Sequence, residues 1–134
     1  MKPIIKNIIL FISVFALGIV LKSIITDYLY PKPVFMLLGD TVKDFGKVRQ
    51  DQPAKHFFKF TNKGSKPLKI VNIETNCGCT ASTWPKKPIA PNKSDSILVE
   101  YDSHITGSFN RKAVVYIEDM NETHTLFIKG TITD

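Results

Sequence analysis

Cys77 and Cys79 are the only cysteines in this chain, and they flank a single residue, Gly78. A pair so spaced can close a small disulfide, hold a soft metal such as Cu(I) between two thiolates, or exchange electrons as a dithiol. In a flat strand, side chains at i and i+2 point the same way but stand ~6.7 Å apart. A disulfide needs Cβ atoms within about 4.5 Å, so closure requires the backbone to bend at Gly78, which glycine permits. The expectation is a structural pair that ends or bends a strand, with the Thr80 hydroxyl bonded to a nearby backbone group. Metal binding and thiol redox chemistry at Cys77 and Cys79 are the alternatives.

Other chemistry-bearing residues do not gather in the sequence. A zinc site wants four ligands, and His56, His104 and His124 are widely scattered. His56 reads as a packed or half-exposed strand residue, whereas His104 in a polar loop and His124 after a turn read as solvated. Trp84, before Pro85, reads as a plug for one end of a β-sandwich, the alternative being an exposed recognition aromatic. Asn121-Glu122-Thr123 matches a glycosylation acceptor, and is read here as a hairpin turn. There is no nucleophile elbow, HExxH, phosphate-cradling glycine loop or close carboxylate pair. The expectation is therefore no enzyme, no catalytic residue and no cofactor.

The elements that must position these residues are strands. After residue 30, short apolar-alternating runs recur between turn residues every ten or so positions, which is the signature of a sandwich or barrel. Strands are expected over 42–48, 56–60, 68–76, 79–83, 97–101, 113–117 and 126–132. Phe58, Phe60, Val99, Tyr101, Val115, Ile117 and Ile128 lie on the more apolar alternation and are expected inside. The predicted fold is all-β, a two-layered antiparallel sandwich of about seven strands. The chain of 134 residues is 43% hydrophobic and 22% charged, enough for one domain plus an appendage.

That appendage is the N-terminus. Residues 8–21 carry no charge and follow Lys2 and Lys6. Extension through Lys22 to Ile25 gives ~27 Å of helix against a hydrocarbon core of about 30 Å. No small-x-small pair follows the run, and Tyr28 and Tyr30 stand where an aromatic belt would form. The reading is an uncleaved signal-anchor over 1–27, a cleaved signal peptide being the competitor, then a spacer over 28–39 stiffened by Pro31 and Pro33. Basic residues before the span hold the N-terminus in the cytoplasm. The sandwich, residues 40–134, is then expected on the periplasmic or cell-envelope side. Its basic excess is dispersed, without the one-sided clustering that nucleic acid requires; it suits a solvated surface that tolerates anionic lipid or cell-wall polymer.

A further set of residues resembles a known family. These are Asp44-Phe45-Gly46, His56-Phe57-Phe58-Lys59-Phe60-Thr61-Asn62-Lys63-Gly64, Pro67-Leu68-Lys69-Ile70 and Cys77-Gly78-Cys79-Thr80. Trp84-Pro85, Ile89-Ala90-Pro91, Gly107-Ser108-Phe109 and Leu126-Phe127-Ile128-Lys129-Gly130 continue the match. Together they resemble the bacterial domain of unknown function 1573. The resemblance implies an exported immunoglobulin-like domain with no assigned reaction. Asn92 replaces a common glycine, a change that Asn tolerates in left-handed turns. Many relatives are lipoproteins, and the lipidation cysteine is absent here.

The functional expectation is a non-catalytic, membrane-anchored interaction module that contacts another cell-envelope protein, with no nucleic-acid partner and no small-molecule ligand. Its alternative is a thiol-redox or Cu(I)-binding protein using Cys77 and Cys79.

Overall fold

The computed structural model describes residues 2–134, apart from the side chains of Lys2, Pro3 and Asp27. Met1, where the expected anchor begins, lies outside the described residues. The chain forms two units, Met1–Lys32 and Pro33–Asp134.

The first unit is helix α1, Lys2–Leu29. Ile4–Thr26, 23 residues with mean hydropathy 2.7 and none buried, is long and apolar enough to cross a membrane. Two of its hydroxyls are turned back onto the helix. Ser13 donates to the Leu10 carbonyl and Thr26 to the Lys22 carbonyl, both at 2.8 Å, which hides hydroxyls that hydrocarbon would not solvate. Pro31 and Pro33 follow the end of the helix and cannot continue it.

The second unit is a sandwich of eight strands. They are β1 (Phe35–Leu37), β2 (Val42–Arg49), β3 (Ala54–Asn62), β4 (Ile70–Thr75), β5 (Thr80–Thr83), β6 (Ser94–Tyr101), β7 (Gly107–Ile117) and β8 (His124–Thr133). One sheet has the order β1-β3-β6-β5 and the other β2-β8-β7-β4. All seven expected inward residues are buried, from Phe60 and Val115 at 0% exposure to Tyr101 and Ile117 at 4%. Tyr101 and Phe109 stack between the sheets with ring centroids 4.0 Å apart.

The structure corrects the expected arrangement in two places. Phe35–Leu37 pairs antiparallel with β3, so the sandwich takes in part of the expected spacer 28–39 and has an eighth strand. Residue alternation could not reveal this strand, because it is short and apolar on both faces. The second correction concerns direction: β2 runs parallel to β8, whereas the other pairs are antiparallel. The chain changes sheets between β1 and β2 through Gly39, held at φ 125°, and β2 then meets the C-terminal strand running the same way. A bulge between Asp44 and Lys47 adjusts the register. There Gly46 takes φ 62° and donates its N–H to the Asp44 carboxylate at 2.8 Å, a left-handed position that suits glycine.

Asn62 joins the ends of several elements. It is fully buried. Its amide nitrogen donates to the carbonyls of Lys66 at 2.8 Å and Ile89 at 2.9 Å. Its amide oxygen accepts from Gly64 at 2.9 Å and Val34 at 3.3 Å. Asn92 turns the chain nearby at φ 59°, the left-handed conformation expected for it.

Candidate functional site

The cysteines lie where the chain crosses between the two sheets. β4 ends one sheet and β5 ends the other, and residues 76–79 form the turn that joins them. Cys77 and Cys79 are joined by a disulfide, with Cα atoms 5.3 Å apart. The turn therefore shortens the flat-strand spacing enough to permit the bond.

Hydrogen bonds fasten this turn on three sides. The Thr80 N–H donates to the Cys77 carbonyl at 3.3 Å, and the Asp102 N–H donates to the Cys79 carbonyl at 2.9 Å. The Lys112 N–H donates to the Asn76 side-chain oxygen at 3.2 Å. The Thr75 hydroxyl is shared between the carbonyls of Cys77, 3.3 Å, and Thr80, 3.1 Å. Two local expectations change accordingly. Thr75, rather than Thr80, supplies the hydroxyl that serves the backbone; the Thr80 hydroxyl lies 3.5 Å from the Cys77 sulfur. Gly78 is outside the left-handed region, and a Cβ built there would meet nothing within 4 Å. The bend does not depend on glycine.

Both cysteines are half-buried, and Cys79 packs against the hydrophobic core. Trp84, just beyond β5, also packs on the core. Lys86 caps its ring with Nζ 3.2 Å from the centroid, a cation–π contact. The indole N–H is buried and has no hydrogen-bond partner among the described residues.

The histidines do not join this site. His56 is half-buried on β3, its ring edge-on to Phe58 at 4.7 Å. Burial, followed by the positive charge of Lys43, holds its pKa below the ordinary 6.5. His104 is exposed and its Nδ1 lies 2.7 Å from an Asp51 carboxylate oxygen. His124 was expected in solvent, but its ring packs on Phe35 with centroids 4.6 Å apart. Its Nε2 is buried without a partner, and burial lowers its pKa despite the opposing charge of Glu122. Phe35 of β1 packs over it, and that strand was not legible in the sequence. Among the described residues no three His, Cys, Asp or Glu side chains converge on a possible metal position. Two thiolates alone could hold Cu(I), but only after the disulfide is reduced.

The architecture is that of an immunoglobulin-like β-sandwich with an N-terminal apolar helix. The chain belongs to the family described as Protein of unknown function (DUF1573), which matches residues 36–132. No curated protein matches in sequence. Among solved structures, a protein of unknown function from Porphyromonas gingivalis W83 is similar at TM-score 0.65 and 17% identity, with 74% of this chain covered. This chain spans 46% of that protein. The ASH / PapD-like domain of human CEP192 (PapD-like domain 7) is similar at TM-score 0.62 and 7% identity, covering 75% of this chain and 85% of that one. A family 123 glycoside hydrolase from Clostridium perfringens is similar at TM-score 0.58 and 10% identity, covering 77% of this chain and 28% of the enzyme. At these identities the likenesses concern the fold alone.

Proposed function

We propose that this chain is a non-catalytic interaction module, held by α1 on the extracytoplasmic side of a bacterial membrane, which contacts another cell-envelope protein through its β4–β5 flank. The observation that carries this reading is the meeting of two sheet edges at one bridged turn. β4 and β5 are the terminal strands of their sheets on this flank, and sheet edges accept an added strand from a partner. The disulfide and the hydrogen bonds of Thr75 and Asn76 hold the turn between them in one shape, and a preformed surface loses less entropy on binding. Val71, on β4, is among the large apolar side chains exposed on the sandwich. A photo-crosslinking residue placed at Val71 or Ala81 should capture one discrete envelope protein, whereas the same residue at Lys47, on the opposite edge, should not. Equal capture at all three positions, or none at any, would remove the proposal.

A second reading, thiol or copper chemistry, is favoured by the partial exposure of both cysteines. In it, a partner dithiol transfers two electrons to the Cys77–Cys79 bond, leaving two thiols here and a disulfide on the partner. Two thiolates, after loss of their protons, then bind Cu(I). Thermal melts with and without Cu(I) under reducing conditions, on wild type and the Cys77→Ser/Cys79→Ser variant, separate the readings. The interaction module predicts no copper effect. A large copper-dependent rise in wild type alone would put the metal reading first.

A further inference from the structure

Residues 34–38 read Val-Phe-Met-Leu-Leu, apolar at every position. Such a run is the pattern of a strand covered on both faces. Here the inner face is covered, with Phe35 buried and Leu37 packed on the core. The outer face is bare: Val34, Met36 and Leu38 are 44%, 42% and 46% exposed. On the neighbouring strand Phe57 is 57% exposed, and Val42 beyond the Gly39 turn is 43% exposed. Among the described residues of the sandwich, only Val71 and Ile105 are other large apolar side chains of comparable exposure. Leu38, Val42 and Phe57 line one cleft of about 390 Å³, together with Lys43, Lys59 and Asp40.

Charge and chain length say what covers this face. Lys32 precedes it in sequence, Lys43 and Lys59 line the cleft, Lys63 follows the end of β3, and none of the four is in an ion pair among the described residues. Lysine is depleted in protein–protein interfaces, but lysines beside an apolar surface are what an anionic lipid layer attracts. Residues 30–33 alone separate the last residue of α1 from Val34. Fully extended, they reach ~14 Å, only about twice the thickness of one headgroup layer. Tyr28 and Tyr30 are residue types that settle in that layer.

We propose that the outer face of β1, with Phe57, rests on the anionic headgroup layer of the membrane that α1 enters. Met36, Leu38 and Phe57 contact the layer, and the four lysines lie beside lipid phosphates. The proposal rests on the reading of α1 as a retained anchor. β1 and β5 are opposite edges of one sheet, so this seating leaves the β4–β5 flank open to a partner.

The test uses the full chain in bilayer discs of phosphatidylcholine and phosphatidylglycerol, a small fraction of the lipid carrying a Gd³⁺ chelate on its headgroup. Methyl signals of methionine and isoleucine report proximity to the headgroups. Ile105, exposed to a similar degree in the loop after β6, is the control. The expected result is loss of the Met36 signal with the Ile105 signal retained. The Leu38→Asp/Phe57→Asp variant, altered only at exposed positions, should regain the Met36 signal. Equal loss at Met36 and Ile105 overturns the proposal. So does a Met36 signal that survives the tagged lipid, or one that shifts only with protein concentration and so reports a second copy. In these cases co-elution of the protein with the discs leaves the anchor reading standing. Failure to co-elute would instead remove the anchor itself.

Discussion

Asn62 has the composition of a turn residue and the position of a core residue. Its sequence neighbours, Lys63-Gly64-Ser65, mark a turn, so its type alone suggests solvent. The fold buries it and satisfies both ends of its amide. Asn62→Ala takes the partner from the Lys66 carbonyl and from the Gly64 and Val34 N–H groups, while the Ile89 carbonyl keeps its bond from the Leu68 N–H, and should cost about 2–4 kcal/mol in urea melts. Asn62→Asp keeps the acceptor but turns an anion toward the Lys66 and Ile89 carbonyls. That variant should be weaker still at neutral pH and regain stability as acid supplies a donor. The half-buried histidines give the wild-type protein its own pH dependence. Folding lowers the pKa of His56 and His124 below 6.5, chiefly through burial. The unfolded chain therefore binds more protons as pH falls through about 6.5, so the stability these two histidines contribute is full above that value and is lost as pH falls through their lowered folded pKa values. The melting temperature should drop between about pH 7.5 and pH 5, and His124→Phe, which keeps the packing on Phe35, should reduce that drop. An identical drop in wild type and variant would show that His124 does not contribute.

The contact of β2, β7 and β8 depends on a missing side chain. Gly130 lies opposite Phe109 in the β7–β8 ladder. A Cβ at Gly130 would come within 3.0 Å of the Gly46 carbonyl oxygen and 3.1 Å of the Phe109 ring. The backbone of β2 and an inter-sheet aromatic therefore close over the same glycine. Gly130→Ala should destabilise the sandwich by about 1–3 kcal/mol; a denaturation midpoint equal to wild type would show that both neighbours give way freely. This contact gives a physical reason for the glycine of Leu126-Phe127-Ile128-Lys129-Gly130, and the left-handed φ of 62° gives one for the glycine of Asp44-Phe45-Gly46. The motifs were visible in the sequence, but the approach of their two strands was not. Period-two alternation assigns a face to each residue and carries no information about which strand lies alongside, or in which direction.

The whole chain joins a long apolar helix to a sandwich through a short proline-containing link. If the helix is a retained anchor, intact-mass analysis of membrane fractions should find a chain that includes residues 1–25. A mature chain beginning near residue 23–30 would identify a cleaved signal peptide. The retained helix would also confine the sandwich to the bilayer surface, the condition under which a bare apolar face such as that of β1 escapes aggregation.

By itself, the sequence determined the helix, the strand-rich character of the remainder and the inward faces of the long strands. Those features follow from local periodicity and from apolar run length, which act along the chain. Only the tertiary structure decided that residues 35–37 form a strand, that β2 runs with β8, that Asn62 and His124 are covered, and that the disulfide turn joins the two sheets at one flank. Each of these depends on residues far apart in the chain. Packing supplies the neighbours of Asn62 and His124, and a half-buried histidine or a satisfied buried amide has no sequence pattern of its own. The cysteine pair was legible as chemistry because its spacing is local; its setting between two sheet edges was not, because an edge is defined by the strand that is absent beside it.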